Sequence, residues 1–354
     1  MNQLERLHGL DFCRAIFMVL GVFYHVALIY KVEQDWRVGS NDTSEFFSII
    51  SLFIHDFRME AFYVIAGFFY IYIYKKGKDS FLRDRIKRAL IPLFFCGLTI
   101  NYLMNIYSYN LSFDYFDVNY YLYGKWLGHL WFLGNLIIYF LLVQPFCKYI
   151  SALKGVSEIK LCSIFIVFAP VASILLLAVS KYTVSNEYIF IAFHSLFGYF
   201  PYFLLGCLCC TWKMTFLNVL NYKVFFISIL IYLLIFLIAK LEIDSTLVSK
   251  VFERLSHGSL VLAMIALFYK LGTKKGSLIK EISDSSYTIY LLHQPLIVLI
   301  YAFIFSDLAL NIYLEYVLLV FMVLVISYLF HRYIVKFYKV MSLLFNGVYK
   351  INRT

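Results

Sequence analysis

Ten apolar runs with short charged connectors make up most of this chain, near residues 9–30, 46–74, 87–108, 129–150, 160–180, 188–212, 223–240, 250–270, 285–306 and 312–335. Each is about long enough to cross a hydrocarbon core of ~30 Å. Lipid offers no hydrogen-bond partner, and a helix satisfies its own backbone within one segment. The expectation is an all-α polytopic membrane protein with about ten transmembrane helices. Composition agrees: 62% of the 354 residues are hydrophobic and 15% are charged, too apolar for a soluble domain. Phe and Tyr, 37 and 31 of them, suit lipid-facing surfaces and interfacial belts.

The connectors orient the chain. With the N-terminus in the cytoplasm, 21 Lys and Arg fall in cytoplasmic loops and the C-terminal tail. Seven fall outside: Lys31, Arg37, Lys125, Lys181, Lys240, Lys250 and Arg254. This is the positive-inside asymmetry, and an even number of spans returns the basic C-terminus to the same side. Both termini are therefore expected to be cytoplasmic. The net charge of +10 then reflects topology, and no nucleic-acid partner is expected. Residues 1–340 read as a single transmembrane domain and 341–354 as a short basic cytoplasmic tail. The first run carries Asp11 and Arg14 and is not followed by a small-residue cleavage site, so it is expected to stay as an anchor. The seven cysteines form no Cys-x-x-Cys or zinc spacing. Cys207, Cys209 and Cys210, clustered at a helix end, read as small packing residues rather than as an acylation or metal site. The sequons at Asn41 and Asn110, in expected outer loops, read as chance.

Polar residues inside the runs are where chemistry is sought, because a charge in a span is costly and faces protein or water. Arg14 and His25 are eleven residues apart, which brings them within ~20° of one helix face and ~16 Å apart along the axis. They read either as a cationic anchor and a proton acceptor along one tunnel, or as a structural histidine and an Arg14–Asp11 pair at i,i+3. The second run spans 29 residues from Phe46 to Tyr74, long enough to bend or to begin at the interface. It holds His55, Asp56, Arg58 and Glu60. Arg58 shares the side of His55, and Asp56 and Glu60 lie on another. Such a cluster must line a cavity or form ion pairs. Lys75 to Arg88 reads as a positive-inside loop. Within it, Arg85 and Arg88 could form a guanidinium pair for donor phosphates, with Lys87 a further cation. His129 and Trp131 open the fourth span, as acceptor-site or headgroup residues. His293, before Pro295, is a core or cavity residue, and Pro295 frees a backbone carbonyl. His194 and His331 read as structural. No Walker loop, Rossmann glycine pattern, zinc-protease motif or nucleophile elbow is present. No bound cofactor or metal is expected, and chemistry would fall to histidine as general base.

These pieces, in this order, resemble the acyltransferase-3 family of integral-membrane O-acyltransferases. The resemblance rests on Leu10-Asp11…Arg14…His25, Phe57-Arg58-Met59…Gly67-Phe68-Phe69, Arg85…Arg88…Pro92, His129-Leu-Trp-Phe-Leu133 and Ser286-Tyr287…Tyr290-Leu-Leu-His293. It is closest to a glucan-biosynthesis branch, through His25 to Tyr30, Asp35 to Val38 and Phe53 to Met59. Glu60 departs from the uncharged residue more usual there. The resemblance implies ten helices with cytoplasmic termini in a bacterial inner membrane. It also implies acyl transfer from cytoplasmic acyl-CoA, as co-substrate, to the sugar hydroxyl of an extracytoplasmic glycan or lipid-linked sugar. It implies His25 as catalytic residue, with Arg14, Arg85 and Arg88 on the donor. The acyl group would be succinyl in the glucan branch and acetyl in many other members. His55, Arg58, Glu60, His129, Trp131 and His293 are expected around the acceptor. The competing reading is a proton-coupled transporter or flippase of a glycan-related solute.

Overall fold

All ten apolar runs are helical in their described parts. The computed structural model describes residues 7–77, 80–109, 118–183, 193–241, 246–273, 277–308 and 310–349, and no strand occurs among them. In chain order the helices are α1 (His8–Tyr30), α2 (Glu45–Tyr74), α3 (Phe81–Leu98), α4 (Ile100–Tyr109), α5 (Val118–Leu122), α6 (Trp131–Val143), α7 (Cys147–Ser151), α8 (Glu158–Ser163), α9 (Ala169–Thr183), α10 (Phe193–Thr211), α11 (Lys213–Val219), α12 (Tyr222–Leu241), α13 (Thr246–Leu271), α14 (Ser277–Ile300), α15 (Ile312–Phe330) and α16 (Lys339–Asn346). A 3₁₀ segment, Lys125–Leu130, leads into α6. Wide π-turns precede α9, at Ile164–Phe168, and close α14 and α15, at Tyr301–Phe305 and His331–Val335.

Among the described residues, eight helical stretches are long and apolar enough to cross a membrane, and α10 with α11, bent by 106°, makes a ninth if the pair is one span. The remaining run is α2. It neither breaks nor starts as a separate piece: its 30 residues form one helix, ~45 Å long. Asp56 and Glu60, 1% and 3% exposed, are turned into protein, which is how this helix keeps its charges out of lipid.

Small residues set the central packing. A Cβ on Gly67 of α2 would lie 2.0 Å from the Phe203 carbonyl oxygen of α10, and one on Gly206 2.0 Å from that of Val64. Backbones this close gain dispersion contact that lipid cannot supply. α1 packs against α2, α13, α14 and α15 and is buried along most of its length. By contrast α12 exposes Phe226, Leu230, Leu233 and Leu237, a face that suits lipid. Cys207, Cys209 and Cys210 are buried in the main core, as expected of packing residues.

The expected tail, 341–354, is docked in its described part. α16 packs on α3, and Phe345, 2% exposed, meets Phe95 and Phe330 at 5.6 and 5.1 Å between ring centroids. Gly347 ends α16 with φ of 63°, the left-handed conformation that glycine adopts at little cost. The Asn110 sequon and the side chain of His194 lie outside the described residues.

Candidate functional site

Two chambers lie along α1, and each collects most of the groups expected for one half of the site. The first, near the start of α1, has a volume of about 470 Å³ and is lined by Arg14, Arg85 and Arg88. Arg85 and Arg88, three residues apart in α3, share a helix face. Arg14 pairs with Asp11 at 3.4 Å and also lines the chamber, its guanidinium 5.4 Å from the Phe69 ring centroid. Tyr287 of α14 donates to the Arg88 carbonyl at 2.8 Å, which ties α3 to α14 beside the cations. Asp284, Tyr287, His331, Lys336, Ser342 and Asn346 complete much of the wall. Arg88 and Asp284 are exposed, so the chamber is open there. Lys87 is exposed and does not line it.

The second chamber, about 260 Å³, is lined by His25, His55, Arg58, His129, Trp131 and His293, with Tyr24, Tyr199, Tyr290 and Gln294. Five helices or their entries meet here: α1, α2, α6, α10 and α14. Three imidazoles form a row, with ring centroids 5.2 Å apart for His25–His293 and 5.0 Å for His129–His293. Each ring is held by something traceable. Trp36, in the connector after α1, stacks on His25 at 5.5 Å, and the Gln294 amide nitrogen lies 3.0 Å from its Nε2. Pro295 has no N–H to give the carbonyl four residues earlier, that of Leu291. His129 Nε2 fills the vacancy at 3.3 Å. Gly128, with φ of 49°, supplies the sharp turn that brings His129 there. His293 Nδ1 donates to the Tyr290 carbonyl at 2.5 Å.

Those anchors leave polar atoms without partners. Arg58 Nε, His129 Nδ1 and His293 Nε2 are buried and make no hydrogen bond. Native interiors rarely tolerate this away from a ligand. Arg58 lies over Tyr24, 4.8 Å from the ring centroid. No carboxylate is among the described residues lining the chamber, so the cation faces a cavity of imidazoles and phenols. His55 is exposed and marks the opening. The arrangement offers a base for a hydroxyl proton and a cation for a developing oxyanion. Met18 and Phe62 line both chambers, so the two meet at those side chains.

Glu60 is not part of the chamber. It and Asp56 face α13, where His257 lies 3.4 Å from Asp56 and 3.7 Å from Glu60, and Arg254 lies 3.9 Å from Glu60. The different sides expected within 55–60 thus serve two different environments. Sequence reasoning missed His257, Gln294, Tyr24, Tyr199 and Tyr290 as cluster or cavity residues. Gln294 carried a usable signal, since it sits between His293 and Pro295.

A family model described as an acyltransferase domain matches residues 7–332. Glucans biosynthesis protein C of Escherichia coli strain K12 is 29% identical over 227 residues, covering 58% of this chain and 58% of that protein. Its namesake in Shigella dysenteriae serotype 1 matches with the same identity and coverage. The chain thus spans little more than half the length of these curated relatives. No solved structure matches it.

Proposed function

The chain belongs to this acyltransferase family, and on that premise we propose that it moves an acyl group from acyl-CoA to a sugar hydroxyl across a bacterial inner membrane. The observation that carries the reading is the junction of the two chambers. Three arginines line one, four histidines line the other, and Met18 of α1 and Phe62 of α2 line both.

In this reading the donor's phosphates bind Arg14, Arg85 and Arg88 at the cytoplasmic mouth. Its pantetheine arm passes Met18 and Phe62, and its thioester lies near His25, ~16 Å beyond Arg14. The acceptor hydroxyl enters from the opposite side, near His55 and Trp131. His25 takes the hydroxyl proton as the oxygen attacks the thioester carbon, and Arg58 balances the charge on the carbonyl oxygen. The C–S bond then breaks, and the thiolate recovers the proton from His25. The products are an O-acyl ester and free CoA. Gln294 and Trp36 are positioning residues for the His25 ring. Acetyl and succinyl groups are the donor candidates. The acceptor is a glycan or lipid-linked sugar, in keeping with the names of the matched relatives.

The test gives purified protein in nanodiscs labelled acetyl- or succinyl-CoA and a glucan acceptor. Removing a general base costs roughly 10²- to 10⁴-fold in rate, so His25→Ala should lose transfer while still binding CoA. Wild-type transfer by His25→Ala refutes the role of His25. Absence of labelled ester with either donor across glucan and lipid-linked acceptors refutes the reading.

A further inference from the structure

Histidine 331, which sequence context left as a structural residue, stands at a break in helical geometry. The helix α15 ends in a π-turn, His331–Val335, closed by a hydrogen bond from the Lys336 amide to the His331 carbonyl at 3.0 Å. Residues five apart point ~140° away from each other on an α-helix. The i→i+5 turn instead stacks them, and His331, Val335 and Lys336 all line the arginine chamber. His331 is 5% exposed. Its Nδ1 lies 2.7 Å from Thr288 Oγ1, and its Nε2 has no partner. Ser283, on the same wall, is 7% exposed and its Oγ is also without a partner. Two unpartnered buried polar atoms and a fourth cation therefore sit with Arg14, Arg85 and Arg88. The chamber is closed on this side by α16, whose following Gly347 is packed so tightly that a Cβ would lie 2.5 Å from the Arg88 Cα.

We propose that the π-turn ending α15 is part of the donor site: Lys336 contacts a phosphate of the nucleotide end of the donor, and His331 hydrogen-bonds beside it. The inference rests on the acyl-CoA reading above and adds to it a binding element that lies at and beyond the end of the family match at residue 332. The physical reason is charge. A CoA donor carries a diphosphate and a further ribose phosphate, and a hydrogen bond between charged partners is stronger than a neutral one. The π-turn places one more cation opposite that charge.

The experiment measures binding of CoA, and of phosphate-free acetyl-pantetheine, to the full chain in nanodiscs. Lys336→Ala should weaken CoA about 10-fold, the equivalent of ~1.4 kcal/mol, and Lys336→Glu about 100-fold. Acetyl-pantetheine binding should be unchanged in both. His331→Asn, which keeps a polar group against Thr288, should weaken CoA several-fold with the same insensitivity to pantetheine. Lys336 is partly exposed, so its substitution leaves the core intact, and a thermal melt on the same samples checks this. Arg88→Ala is measured alongside. If Arg88→Ala weakens CoA and both Lys336 variants bind it as wild type does, the π-turn inference is overturned and the donor reading stands. If wild-type protein binds no CoA, or Arg88→Ala also has no effect, the donor reading fails and takes this inference with it.

Discussion

Gly21→Ala tests the arrangement of the histidine chamber without removing any of its functional groups. A Cβ at position 21 would lie 2.7 Å from an Arg58 guanidinium nitrogen and 3.5 Å from His293 Nε2. An ordinary contact begins near 3.4 Å, so the guanidinium must withdraw by about 0.7 Å. The helix itself gains: alanine is favoured over glycine in a helix interior by about 1 kcal/mol. Displacement of a positioned group by ~1 Å can cost on the order of 100-fold in rate. The expected outcome is a 10- to 100-fold fall in turnover of acyl-CoA and acceptor, at unchanged CoA affinity. The unfolding temperature in nanodiscs should be equal to or above that of wild type. Wild-type turnover in a folded Gly21→Ala protein would refute a role for Arg58 at the reacting atoms. Lost turnover accompanied by a large fall in melting temperature would refute the claim that the perturbation is local.

Three other substitutions separate packing from chemistry. Met18→Trp fills the junction between the chambers and should cut transfer at least about 10-fold while CoA still binds, a split read by combining a binding assay with turnover. Glu60→Ala leaves Arg254 and His257 facing a buried gap. Breaking a buried ionic cluster costs about 3–5 kcal/mol. Because Arg254 is 40% exposed and water solvates it, the cost falls below that range, read as a modestly reduced unfolding temperature with turnover per folded molecule preserved. Gly67→Val would drive a side chain into the Phe203 carbonyl. It should lower the yield of folded protein far more than Gly134→Val, whose site is open, as measured by size-exclusion chromatography.

Features governed by one helix were legible in the sequence. The 3.6-residue period alone put Arg14 and His25 on one face, separated Asp56 and Glu60 from His55 and Arg58, and paired Arg85 with Arg88. Proline chemistry located a freed carbonyl near 295. What that carbonyl accepts, the ring of His129, depends on a chain crossing from residue 129 to residue 291, and no local pattern encodes it. Glu60 and Lys87 were drawn into the site by nearness along the chain, although rotation about α2 and α3 turns them away. The grouping of His331 with Lys336 was hidden for a different reason. It needs a turn closed by an i→i+5 hydrogen bond, and an α-helical reading puts the two on different faces. Likewise 341–349, read as tail from its charge, carries Phe345, whose burial between α3 and the end of α15 only the fold discloses.

In the proposed transfer, one acyl group passes from a donor at the arginine chamber to an acceptor at the histidine chamber, on opposite sides of the membrane. Proteoliposomes with a single protein orientation, fixed by protease accessibility of the exposed connector that begins at Lys75 after α2, test it directly. Labelled acyl-CoA is supplied on one side and a membrane-impermeant glucan on the other. Acylated glucan is expected when the donor faces the Arg88 side and the acceptor the His55 side, and none with the two exchanged. Product formed only when donor and acceptor share a side would contradict it.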